Sequence, residues 1–71
     1  MEEISLREGD DYIKLGQLLK KVNMMSSGVD AKMVILDGLV SVNGEVELRR
    51  GKKIYPGDVV TFEGESVKVV R

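Results

Sequence analysis

The sequence predicts an α+β fold: a helical hairpin packed on a small, mostly antiparallel sheet. Two observations carry this. Apolar residues recur at helical spacing from Leu15 to Ile35, then after Gly38 the period shortens to two. Turn signals, Asn43-Gly44 and Pro56-Gly57, divide the second half into short strands. The length agrees, since 71 residues make one domain at most. A chain this short buries only about 60% of the surface it exposes when unfolded. With no cysteine, neither a disulfide nor a Cys-ligated zinc can staple it. Its stability must come from packing and well-chosen turns.

Ile4 and Leu6 alternate with polar residues and predict a short opening strand. Leu15, Leu18, Leu19 and Val22 form one stripe of a first helix, for which Asp10 or Asp11 is the expected N-cap. Asn23 and Met24-Met25 leave that helix. The stretch SSGVDAKMVILDG predicts the second, with Ser27 three residues before Asp30 in a near capping-box pattern. Ala31, Val34 and Ile35 make its inner stripe, to be buried against Leu18 and Leu19, and Gly38 ends it. Val40 and Val42 alternate with Ser41, and Val46 and Leu48 continue the alternation beyond the Asn43-Gly44 turn. YPGD reads as a type II turn, and VVTF and SVKVV as strands around Glu63-Gly64-Glu65.

The net charge of −1 conceals segregation. Residues 1–11 carry −4, 12–32 carry +3, 33–48 carry −3, and 49–53 carry +4. The last segment packs Arg49, Arg50, Lys52 and Lys53 around Gly51 in an otherwise acidic chain. Nucleic-acid readers are recognised by such local basic surfaces rather than by total charge alone.

Catalytic chemistry is poorly supplied. There is no histidine and no cysteine, so the commonest general base and the commonest soft nucleophile are absent. The carboxylates fall mainly in turns and termini, and no apolar setting marks one for a raised pKa. No pattern matches an EF-hand loop, a dinucleotide-binding glycine loop or a P-loop. Neither enzyme activity, metal nor cofactor is therefore expected. Binding chemistry is better supplied. Lys14 and Lys21, seven residues apart, are expected on one flank of the first helix, and Lys32 clears the Ala31 stripe on the second. Arg49, Arg50, Lys52 and Lys53 are expected to bind anions together, with Gly51 letting the backbone turn and approach a phosphate. Tyr12, Tyr55 and Phe62 are the only aromatics, too few for base stacking to be the main mode. Double-helical or folded RNA suits such a surface better than single strands.

The ordered series KL at 14–15, SGVDAK at 27–32, GLVSVNG at 38–44 and PGD at 56–58 resembles the S-four domain. That is the small RNA-binding module first seen in small-subunit ribosomal protein four. The resemblance runs over residues 14–58, about two-thirds of the chain, within a single domain of residues 1–71. It is similar to the small stand-alone bacterial proteins of this family, and it implies the αL fold. It further implies that Lys14, Ser27, Lys32 and the loop Val42–Gly44, with Asn43, face structured RNA, commonly ribosomal RNA. Gly28 stands where the family usually has arginine, and Gly16 where it usually has aspartate. The cluster from Arg49 to Lys53 is then expected to supply the phosphate contacts that the second helix lacks.

The function these readings predict is a non-catalytic protein that binds structured RNA, ribosomal RNA or a ribosomal subunit. A cytoplasmic monomer is expected, since the acidic N-terminus does not resemble a signal peptide and no run approaches the roughly 20 apolar residues of a membrane helix. Two alternatives stay open: a protein–protein interaction adaptor, and an accessory subunit of an RNA-modifying or ribosome-assembly complex.

Overall fold

A computed structural model describes residues 1–22 and 31–71. Helices α1 (Leu15–Lys21) and α2 (Ala31–Leu36) are accompanied by strands β1 (Glu2–Ser5), β2 (Ile13–Lys14), β3 (Val40–Val42), β4 (Glu45–Val46), β5 (Lys53–Ile54), β6 (Val59–Phe62) and β7 (Glu65–Val70). The main sheet has the order β1-β7-β6-β3-β4, and β2 pairs with β5 in a separate ladder. Within the main sheet only β1 against β7 is parallel, with Ile4 opposite Val69. The α+β reading holds: two helices cover one face of a mostly antiparallel sheet.

The helical stripes and the strand alternation meet in one core. Leu15, Leu18, Leu19 and Val22 of the first helical segment join Ala31, Val34 and Ile35 of α2. They lie against Val40, Val42, Val60, Phe62, Val67 and Val69 of the sheet, with Ile54 from β5. Among the described residues no polar or charged side chain is buried. Because one face of the sheet is buried, a one-residue slip would turn its valines outward, so burial and the turns together fix the register.

Gly38 ends α2 at φ 76°. Its N–H donates to the Ile35 carbonyl and that of Leu39 to the Val34 carbonyl, both at 3.1 Å, which is the Schellman arrangement. Asn43 and Gly44 both have positive φ, 52° and 86°, and close the β3–β4 hairpin as a type I′ turn.

Two expectations are corrected. Neither Asp10 nor Asp11 caps α1: Lys14 occupies the N-cap position in extended conformation and makes no side-chain cap. Because β2 leads directly into the helix, its pairing with β5 continues past the strand end, and backbone carbonyls replace the cap. The second concerns β4, which ends at Val46, so Leu48 lies beyond the strand. Val46 is 60% exposed and Leu48 54%. Val46 pairs with Ser41, between the buried Val40 and Val42, so it faces away from the core. Asn23, Met24, Met25, Ser27, Gly28 and Asp30 lie outside the described residues.

Candidate nucleic-acid interface

The first N–H groups of any α-helix lack intrahelical acceptors. In α1 the Leu15 N–H donates to the Lys52 carbonyl at 2.9 Å, and the Gly16 N–H to the Arg50 carbonyl at 3.0 Å. These two bonds extend the β2–β5 ladder, in which Ile13 faces Ile54 and Lys14 faces Lys53. The basic segment 49–53 is thereby fastened across the start of α1. It bends there, the Lys52 N–H donating to the Arg49 carbonyl at 3.2 Å. Gly51 sits in this turn without a left-handed φ, and a β-carbon on it would meet nothing within 4 Å. The expected turn is present, and the space over it is open.

Gly16 is different. A β-carbon there would stand 2.7 Å from Arg50 Cγ and 3.3 Å from Cδ. The stem of Arg50 therefore lies flat on the bare backbone of Gly16, as long basic side chains commonly do on apolar surface. That contact turns Arg50 toward the helices. A cleft of about 290 Å³ results, lined by Lys14, Lys20, Lys32 and Arg50 together with Gly16, Gln17, Ala31 and Gly51. All four cationic residues are exposed, and among the described residues the lining contains no carboxylate. Like charges converging on one concavity raise the local potential and attract anions.

The structure places Lys14, Lys32 and Arg50 on the lining of one cleft. It divides the other expected residues. Arg49 turns back on Glu47, with Nε 3.0 Å from Oε2. The same carboxylate accepts the Arg49 backbone N–H at 3.1 Å. This hydrogen bonding holds the Glu47 carboxyl below its ordinary pKa and raises that of Arg49. Lys52 and Lys53 border a second hollow shared with Asn43, Glu45, Glu47 and Asp58. Lys53 Nζ stands 5.0 Å from the centre of the Tyr12 ring, in cation–π geometry. Lys21 lines another groove, with Arg7 and Asp10. Lys14 precedes the helix in extended backbone, so the seven-residue helical spacing does not by itself relate it to Lys21.

Asn43 has a clear structural task. Its Oδ1 accepts the Val59 N–H at 2.9 Å and its Nδ2 donates to Asp58 Oδ1 at 3.0 Å. Asp58 in turn accepts the Tyr55 N–H at 2.8 Å. The Asn43-Gly44 turn and the YPGD turn are tied together by one amide side chain.

Lys20 was not anticipated. Its signal was present in the sequence, since it lies four residues after Gly16 and so on the same helical face. What was missing was a reason to single out that face, which only the docked Arg50 supplies. The aromatic rings are largely engaged: Tyr12 and Tyr55 meet edge to face at 5.8 Å, and Phe62 is buried.

Comparison with known proteins agrees with this architecture. The family model described as S4 domain matches residues 4–70. YbcJ of Escherichia coli is 44% identical over 59 residues, covering 83% of this chain and 84% of that one. A Bacillus subtilis protein named "Probable ribosome maturation protein RlbA" is 46% identical over 54 residues, 76% of each chain. The solution structure of YbcJ superposes with a TM-score of 0.70 at 41% identity, covering all of this chain and 89% of that one. That structure is described as revealing in YbcJ an αL motif involved in RNA binding. With the helical hairpin, the Asn-Gly turn and the sheet order all in place, this chain belongs to the S4-domain family.

Proposed function

We propose that this chain is a non-catalytic RNA-binding protein whose target is folded RNA, ribosomal RNA or a ribosomal subunit. The observation that carries the reading is the convergence of Lys14, Lys20, Lys32 and Arg50 on one cleft that has no carboxylate among its described lining residues. Four cations drawn from three segments match a phosphate backbone passing through a groove. The arginine offers forked donors and the lysines act as point charges. Gly51 leaves room for the backbone of the RNA to approach. Folded RNA is favoured over single strands because Phe62 is buried and Tyr12 is engaged by Tyr55 and Lys53, which leaves the half-exposed Tyr55 alone as a stacking platform. The relatives support the same reading: the YbcJ structure is described by its RNA-binding motif, and RlbA is named for ribosome maturation.

The test is a salt titration against a folded ribosomal RNA fragment. Replacing Lys14, Lys20, Lys32 or Arg50 singly with Ser should weaken binding to different RNA sequences about equally. Each should reduce the magnitude of the logarithmic salt slope by up to about one, because each lost phosphate contact releases fewer counterions. Arg49→Ser, whose partner is Glu47, should change the slope much less. Parent-like affinity and slope in a folded quadruple cleft variant would overturn the assignment of this cleft.

A further inference from the structure

Helix α1 stands between two basic concavities. On one side lies the cleft of Lys14, Lys32 and Arg50. On the other lies a groove of about 540 Å³ whose cations are Arg7, Lys20 and Lys21, with Asp10 its one carboxylate among the described residues. Gln17 and Lys20 line both. A helical rotation of about 100° per residue accounts for the sharing. Around α1 the order becomes Gly16, Lys20, Gln17, Lys21. Gly16 carries the Arg50 stem, Lys21 borders the groove, and the two side chains between them form a ridge. Gln17, Lys20 and Lys21 are exposed, while Leu15, Leu18 and Leu19 bury the opposite face of the helix.

The far wall of the groove is fixed by backbone hydrogen bonds. The Leu6 N–H donates to the Val70 carbonyl at 3.0 Å, which continues the parallel β1–β7 pairing past Ser5. The Asp10 N–H donates to the Arg7 carbonyl at 3.0 Å, with Gly9 at φ 91° between them. Arg7 is therefore set at the mouth of a closed turn, and Leu6 and Ile13 beside it pack on the core. Three cations against one carboxylate leave this groove positive, as the cleft is.

Two positive concavities on either side of a helix about 10 Å across suit two rows of phosphates rather than one. A single strand crossing the ridge would lay bases on Gln17 and Lys20, which offer no ring, and the nearby Tyr12 ring is engaged by Lys53 and Tyr55. The minor groove of an RNA double helix is wide and shallow, displays 2′-hydroxyls, and has a phosphate row on each side. A low ridge of one amide and one ammonium fits it. The Gln17 amide can both donate to and accept from a 2′-hydroxyl, a group that DNA lacks. We propose that α1 seats across the minor groove of an RNA double helix, with one strand's phosphates in the Lys14–Lys32–Arg50 cleft, the other's against Arg7 and Lys21, and Gln17 on the 2′-hydroxyls between them. The proposal rests on the cleft being an RNA site and adds the form of the RNA and a second row of contacts.

The experiment titrates the full chain, at several salt concentrations, against a fully paired RNA hairpin, a DNA hairpin of the same sequence and an unpaired RNA of the same length. The RNA hairpin should bind about tenfold or more tightly than either of the others. Arg7→Ser/Lys21→Ser should weaken hairpin binding and lower the magnitude of its salt slope by up to about two, one for each contact, while affinity for the unpaired RNA stays within about twofold. Gln17→Ala should narrow the preference for RNA over DNA several-fold and leave the salt slope unchanged. Hydroxyl-radical footprinting with the parent chain needs no variant, and it should protect sugars of both strands facing one minor groove. Protection of one strand only would overturn the proposal, as would equal binding of the unpaired RNA, or of polyglutamate, which would mark a general polyanion surface. Parent-like hairpin affinity and slope in a folded Arg7→Ser/Lys21→Ser variant would also overturn it, and the cleft reading would stand if the cleft variants still weaken RNA binding. Cleft variants without effect on any RNA would strike the cleft reading itself, and this proposal with it.

Discussion

Arg50 Cγ lies only 2.7 Å from where a β-carbon on Gly16 would stand, so the direction of one side chain depends on the absence of another. Gly16 stands in the first turn of α1, where glycine weakens the helix by up to about 1 kcal/mol relative to alanine. The residue thus trades helix propensity for a seat on which Arg50 lies across the cleft.

Gly16→Ala should therefore separate stability from binding. Its melting temperature should change little, since the propensity gain offsets the displaced arginine stem, while RNA affinity falls several-fold as Arg50 is pushed aside. Adding Arg50→Ala should remove the clash. The two substitutions should be non-additive in stability by about 0.5 kcal/mol or more, as contacting residues commonly are. Strictly additive melts would show that the arginine stem moves freely.

Ile35 is fully buried in the core shared by both helices and the sheet. Ile35→Ala should cost roughly 2–5 kcal/mol, a large part of a small domain's stability. Urea unfolding followed by circular dichroism measures it.

Asn43 joins a backbone requirement to a side-chain one. Asn43→Gly keeps the positive φ but loses the bonds to Val59 and Asp58, which should cost about 1–2 kcal/mol. Asn43→Ala loses the same bonds and strains the turn, so it should be the less stable of the two by roughly 1 kcal/mol. Equal unfolding midpoints for the two variants would show that the turn conformation contributes nothing.

The Glu47–Arg49 pair predicts a pH effect of definite sign. The folded carboxyl titrates below its ordinary value because Arg49 hydrogen-bonds it. Its contribution to stability is therefore present above the unfolded pKa and is lost as pH falls through the folded one. An NMR titration should show Glu47 protonating at lower pH than an ordinary glutamate, and Arg49→Ser should bring it back toward normal. A Glu47 titration unchanged by Arg49→Ser would break the pairing.

Much of the fold was legible in the sequence because each signal was local. The helical stripe of Leu15, Leu18, Leu19 and Val22, the stop at Gly38 and the turn at Asn43-Gly44 are set by neighbours a few residues apart. The core lists of both helices could be read from periodicity alone. Only the tertiary structure decided how the basic cluster is used. Arg49, Arg50, Lys52 and Lys53 are consecutive cations around one glycine, and composition cannot say that they diverge. The β2–β5 ladder and the carbonyls of Arg50 and Lys52 lay this segment across α1, sending Arg50 over Gly16 while Arg49 returns to Glu47. The same docking replaced the expected aspartate cap and raised Lys20 to a place in the cleft. Charge density follows from sequence, but the direction of a charge depends on hydrogen bonds and packing between residues tens of positions apart.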